Sequence, residues 1–129
     1  MLEPAIRDLA RGRNFASLSV RLLNGQIANH VMWVDADDEH VLINTEVHRA
    51  KFKAMERDPN VTVTIWKFDD PYTYAEVRGT VTETIRGAEA RTHIDALSEK
   101  YEGKPYTNQI TSERVIVKIA PQRQIRRKV

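Results

Sequence analysis

The sequence predicts a mainly β domain, an antiparallel barrel or sheet carrying two or three short helices, and three observations lead to it. Val61-Thr62-Val63-Thr64-Ile65-Trp66 and the run from Tyr74 to Thr84 alternate in character and are rich in β-branched residues, the pattern of half-buried strands. Asn24-Gly25, between two strand-like runs, is a strong two-residue hairpin signal. Five or six strands joined mostly by hairpins describe an antiparallel architecture rather than a parallel α/β one. Closing such a sheet into a barrel would also remove its exposed edges.

Taken in order, Leu2 to Ala10 reads as a short N-terminal helix. Phe15-Ala16-Ser17-Leu18-Ser19-Val20 begins a strand, and Gln26 to Val34 returns as its hairpin partner. Asp35 to Glu39 reads as a turn and Val41 to Asn44 as the third strand. A basic helix follows, closed by Asp58-Pro59 because the residue before proline avoids helical angles. After the Val61–Trp66 strand, Asp69-Asp70-Pro71 turns the chain into the run from Tyr74 to Thr84, with Val77, Gly79 and Val81 on one side. Gly87 to Tyr101 is helical, with Ala90, Ile94, Leu97 and Tyr101 at helical spacing. Val115-Ile116-Val117-Lys118-Ile119 is the last strand, expected to end at Pro121.

A chain of 129 residues with 41% hydrophobic content is one domain, here 1–129, with no repeat, linker or low-complexity stretch. Twenty Lys and Arg against 18 Asp and Glu leave a formal charge of +2, so anionic ligands are favoured only where the basic residues cluster. The absence of cysteine excludes disulfides and thiolate metal sites. The charged N-terminus lacks the apolar core of a signal peptide, and no apolar run is long enough to span a membrane, so a cytoplasmic location is expected.

The segment from Asn44 to Pro59 joins an apolar strand to the basic helix, the place where an anion would bind. The first N–H groups of a helix have no internal partner and carry partial positive charge. Arg49, Lys51 and Lys53 would supply counter-charge and Thr45 a hydroxyl. At about 100° per residue, Arg49 and Lys53 share one face, whereas Lys51 falls beside Val47, Ala54 and Met55. A lysine on an apolar face either snorkels to water or meets a bound anion at the rim.

In order, Phe15-Ala16-Ser17-Leu18, Asn24-Gly25-Gln26, Val31-Met32-Trp33-Val34, Val41-Leu42-Ile43-Asn44-Thr45, Arg49-Ala50-Lys51-Phe52-Lys53, Arg57-Asp58-Pro59-Asn60-Val61 and Ala75-Glu76-Val77-Arg78-Gly79-Thr80-Val81 form an ordered set. That set, from about Phe15 to Ile125, resembles the flavin- and deazaflavin-dependent split-barrel superfamily, which includes pyridoxamine 5′-phosphate oxidase. Within it the chain looks most like the small oxidoreductases that use the deazaflavin coenzyme F-420. The oxidase family ends in a further Trp- and Arg-rich motif with a late His, whereas this sequence ends in Ala120-Pro121-Gln122-Arg123-Gln124-Ile125 and a short basic tail. Pyridoxamine phosphate is therefore not the expected substrate.

The resemblance implies a split antiparallel barrel that pairs as a homodimer, each cofactor lying at the subunit interface. It implies that Thr45, Arg49 and Lys51 contact the cofactor phosphate with Lys53 nearby. Backbone along Ala16, Ser17 and Leu18 and around Asn29, Val31 and Met32 would bracket the ring, and Gly79 would allow close packing beside it, although a strand glycine is as often a bulge. The implied reaction is hydride transfer between coenzyme F-420 and a small organic substrate.

No catalytic acid or base stands out; Tyr72, Tyr74 and Tyr106 are possible proton donors but read first as rim residues. His30, His40, His48 and His93 lack metal-site spacing, so no metal is expected. Trp33 and Trp66 read as core or dimer anchors, with a cofactor wall as the second reading. Ser17 and Ser19 have no nucleophile elbow around them. A nucleic-acid role is disfavoured because aromatics are not interleaved with the basic residues. The alternatives are an FMN-binding protein or flavin-dependent reductase or oxidase on the same fold, and a non-catalytic cofactor-binding module. The substrate pocket is expected from loops such as Asp69 to Tyr74 and Lys104 to Gln109.

Overall fold

The computed structural model describes all residues 1–129. Its elements are α1 (Pro4–Arg11), β1 (Phe15–Arg21), β2 (Ile27–Met32), β3 (Asp35–Ala36), β4 (Val41–Glu46), α2 (Ala50–Arg57), β5 (Asn60–Lys67), β6 (Asp70–Arg86), α3 (Ala88–Glu102) and β7 (Arg114–Arg127). The seven strands form one antiparallel sheet in the order β2-β1-β5-β6-β7-β4-β3. Register shifts between Arg78 and Gly79 and between Val81 and Glu83 mark bulges on the β6–β7 pair, the long central ribbon, where bulges bend strands.

The sheet curls around a core of 21 buried residues, including Leu18, Ile43, Phe52, Val63, Ile65, Val77 and Val117. Its two edge strands, β2 and β3, are joined in sequence by Trp33-Val34. The barrel is thus split rather than closed, and the outer edges of β2 and β3 have no strand partner. This is the split barrel that the resemblance implied, and only full closure would have removed these edges. No helix is long and apolar enough to cross a membrane.

Several boundaries differ from the sequence reading for identifiable reasons. The first hairpin turns over Leu23 to Gly25, with Leu22 and Gln26 bonded across it and Gly25 at φ 88°. Such three-residue loops end in a left-handed residue. Asp35-Ala36 is a short strand on Leu42 and Val41 rather than the start of a turn. Asp70 and Pro71 open β6, the reversal being carried by Phe68-Asp69. β4 continues through Thr45 and Glu46, which pair with Val115 and Arg114, so α2 starts only at Ala50. Pro121 does not end β7, because the strand takes it up opposite Gly79 at the bulge and then runs on to Arg127.

Candidate functional site

The split in the barrel opens a cleft of about 310 Å³. β4 supplies its floor. Every residue of β4 is buried, because the strand lies between β3 and β7 with the barrel core on one face and α3 on the other. Alternation then sends Val41, Ile43 and Thr45 one way and Leu42, Asn44 and Glu46 the other. Past Glu46 the chain turns, and Arg49 occupies the N-cap position of α2 with no side-chain cap of its own. The first intrahelical bonds come from Phe52 and Lys53 to the Arg49 carbonyl, leaving the N–H groups of Ala50 and Lys51 ahead of them.

Part of the cleft lining is cationic. Arg49, Lys51 and Arg114 line it together with Asn44, Thr45 and Asn108, and no carboxylate is among its lining residues. Glu46 stands behind them, 2% exposed, with its carboxylate 3.6 Å from Arg114 and 3.9 Å from Arg49. Burial opposes its ionisation, but N–H donation from Ser112 and Thr111 and the Arg114 charge outweigh burial and lower its pKa. Lys51 has no such partner. Its ammonium makes no ion pair, and its one polar contact is the Met32 sulfur at 3.9 Å. Burial, then the charges of Arg49 and Arg114, lower its pKa.

The rest of the lining is apolar and aromatic, formed by Phe15, Trp33, Ile94, Leu97 and Tyr106, and the Arg114 guanidinium lies over the Tyr106 ring, 5.3 Å from its centroid. Trp33 stacks on Tyr101 with ring centroids 5.2 Å apart and planes 4° from parallel, and meets Tyr106 edge-on at 6.3 Å. The Tyr101 hydroxyl accepts from Val34 N at 3.2 Å and donates to the Asn14 carbonyl, which locks the stack in place. A planar ring carrying an anionic group matches this combination of aromatic and cationic lining.

The structure therefore brings Thr45, Arg49, Lys51, Val31 and Met32 around one cavity. It places Lys53 elsewhere, in a depression with Leu22, Leu23, Asn24 and His48. Gly79 lies in a third recess beside Arg78 and Gln122, close against the Ala120 carbonyl of β7. Ala16 and Leu18 point into the core, and β1 is paired on both edges, so their main-chain N–H and C=O groups are used in the ladders. Ser17 instead donates to Asn29 at 2.7 Å on the outer face. The free edge of β2 leaves main chain available near Asn29, Val31 and Met32.

Of the loops expected to shape a pocket, the one holding Tyr106 and Asn108 does so, whereas residues 69–74 do not line the cleft. Arg114, 8% exposed and the least accessible of the cations, was not anticipated. Its signal was a cation directly before the apolar run Val115-Ile116-Val117, but its partner Glu46 becomes visible only from the β4–β7 register.

Residues 2–126 match the family pyridoxamine 5′-phosphate oxidase. No curated protein matches the sequence. Among solved structures, one titled F-420 reductase aligns over 96% of this chain and 98% of its own, with a TM-score of 0.81 and 22% identity. A conserved hypothetical protein from Mycobacterium tuberculosis aligns over 96% and 82%, with a TM-score of 0.74 and 25% identity. General Stress Protein 26 from Bacillus anthracis aligns over 92% and 88%, with a TM-score of 0.68 and 20% identity.

Proposed function

The chain belongs to the pyridoxamine 5′-phosphate oxidase family, and from that premise we propose that it is an oxidoreductase that binds the deazaflavin coenzyme F-420 in this cleft and exchanges a hydride between it and a small organic substrate. The observation that carries the reading is a cleft lined by three cations and by aromatic side chains, with no carboxylate among its lining residues. Lys51 is the specific support: a half-buried ammonium with no acidic partner is costly unless an anion completes it. In this reading Lys51, Arg49 and Thr45 hold the coenzyme phosphate, while Trp33 and Tyr106 flank the ring. The likeness to the structure titled F-420 reductase favours the deazaflavin over FMN.

When bound, the coenzyme supplies two-electron hydride chemistry, and the protein binds, orients and excludes water. The three cations neutralise the phosphate, and the apolar wall of Phe15, Ile94 and Leu97 keeps water from the ring. The second subunit would complete the cover. The outer sheet face carries Ile27 and Val31, 70% and 67% exposed, beside half-buried Ser17, Ser19, Thr62 and Thr64. Two exposed apolar side chains on a largely uncharged face next to an unpaired edge fit a homodimer contact.

Titrating the purified protein side by side with coenzyme F-420 and FMN tests the assignment. Tighter binding of F-420, and bleaching or recovery of its absorbance with a reducible substrate panel, is the expected result. Tight FMN binding with no F-420 binding would transfer the site to the flavin. Binding of neither would remove the oxidoreductase reading.

A further inference from the structure

Beside the cations of the cleft, polar side chains form an unbroken chain from β3 through α3 and β4 to β7. Asp35 Oδ2 lies 3.0 Å from His93 Nε2, and His93 Nδ1 lies 3.1 Å from Asn44 Nδ2. Asn44 Nδ2 also donates to the Ala90 carbonyl at 3.0 Å, and Asn44 Oδ1 accepts from Arg114 Nε at 2.9 Å. Asn44 is 6% exposed and Arg114 8% exposed, so neither can exchange these partners for bulk water.

Donor and acceptor arithmetic settles the protons. Arg114 Nε–H can only donate and the Ala90 carbonyl can only accept, so the Asn44 amide has one permitted orientation. Its NH₂ then faces His93 Nδ1, which must be an unprotonated acceptor. The ring proton is left on Nε2, pointing at Asp35. Burial raises the Asp35 pKa, but the His93 bond, the Ala36 N–H and the Lys100 charge together lower it, so the carboxylate is present to accept. A second proton on His93 would set N–H against NH₂. Relieving that clash by turning the amide would set NH₂ against Arg114 Nε–H and Oδ1 against the Ala90 oxygen.

We propose that His93 is a positioning residue for the cleft: held as the neutral Nε2–H tautomer between Asp35 and Asn44, it fixes the amide that orients Arg114 toward the ligand, and a second proton on the ring costs Arg114 that bond while its ion pair with Glu46 remains. The cleft role of Arg114 rests on the functional reading above, whereas the tautomer and the coupling do not. The charges facing His93 are Asp35 from β3, Asp37 from the following turn, Lys118 from β7, and Glu89 and Lys100 from α3, with Arg114 reached through Asn44. Lys118 pairs with Asp37 at 3.6 Å.

Long-range imidazole ¹H–¹⁵N spectra of the full-length apo-protein test the tautomer directly. The expected result is an unprotonated Nδ1 at neutral pH, with the Asn44 NH₂ and Arg114 Nε–H signals moving at the midpoint at which His93 titrates. A protonated Nδ1 at neutral pH, or an Arg114 Nε–H indifferent to that titration, overturns the proposal. The second arm measures F-420 and FMN dissociation constants across about pH 5 to 8, the range of histidine titration. His93→Asn keeps an acceptor near Nδ1 without a titrating ring, so wild type should lose affinity on acidification by about threefold to tenfold more than this variant, the effect of one net hydrogen bond. Equal pH profiles with measurable binding overturn the link to the cleft. Absence of binding by either cofactor, with the expected spectra, would count against the functional reading and leave the coupling standing. Should His93→Asn fail to fold, the spectra of wild type still decide.

Discussion

At the residue scale, Lys51 is where the local rule for an apolar helix face is broken. Its pKa is depressed in the fold, which means the folded state binds the proton less well than the unfolded chain. Stability from such a group is complete only above its unfolded pKa and is reduced as pH falls through the folded one, so at neutral pH the charge is a net cost to the apo-protein. Lys51→Met keeps the stem's packing and removes that cost. The apo-variant should melt at the same temperature as wild type or higher, read by calorimetry; clear destabilisation would mean the ammonium is satisfied in a way the geometry does not reveal. Tyr101 gives the opposite dependence. Burial disfavours the phenolate and pushes its hydroxyl up to about 12, so its contribution is complete below the unfolded value of 10.0 and is lost as pH rises through the folded one. Alkaline unfolding should show a step above about pH 10 that is missing in Tyr101→Phe.

At the scale of elements, the strands were legible wherever side-chain periodicity carried the information, as in β5 and the middle of β6. What alternation could not reveal was pairing. Thr45 and Glu46 read as helix approach until β7 appears alongside them, and Pro121 reads as a terminator until Gly79 is found across the ladder. That glycine has a backbone reason for its identity. An added Cβ would overlap the Ala120 carbonyl oxygen and approach Ile119 Cγ2 to 2.9 Å. Gly79→Ala should destabilise the fold by about 1–3 kcal/mol, as overpacking does, measured by urea unfolding, with cofactor affinity unchanged because Gly79 is remote from the cleft. An affinity loss without destabilisation would instead favour the ring contact the sequence suggested. The same limit applies to the site: Thr45, Arg49 and Lys51 could be read from one segment, while Arg114, Asn44, Trp33 and Tyr106 converge only through the sheet and α3.

At the scale of the molecule, an open edge strand that exposes Ile27 and Val31 is a feature that folded chains ordinarily cover. Ile27→Asp combined with Val31→Asp should convert a two-fold dimer into monomers in light scattering and weaken cofactor binding with it. A wild-type monomer that binds cofactor fully would dismiss the shared-interface reading. The central claim is that a bound phosphate completes the uncompensated Lys51 ammonium of the cleft. Its most direct measurement is the dissociation constant of coenzyme F-420 for wild type, Lys51→Met and Lys53→Met at one moderate salt concentration. Lys51→Met should bind more weakly by about 1.5–3 kcal/mol, the range for a hydrogen bond to a charged group, while Lys53→Met, facing a different depression, should stay near wild type. Equal dissociation constants for wild type and Lys51→Met would contradict the account.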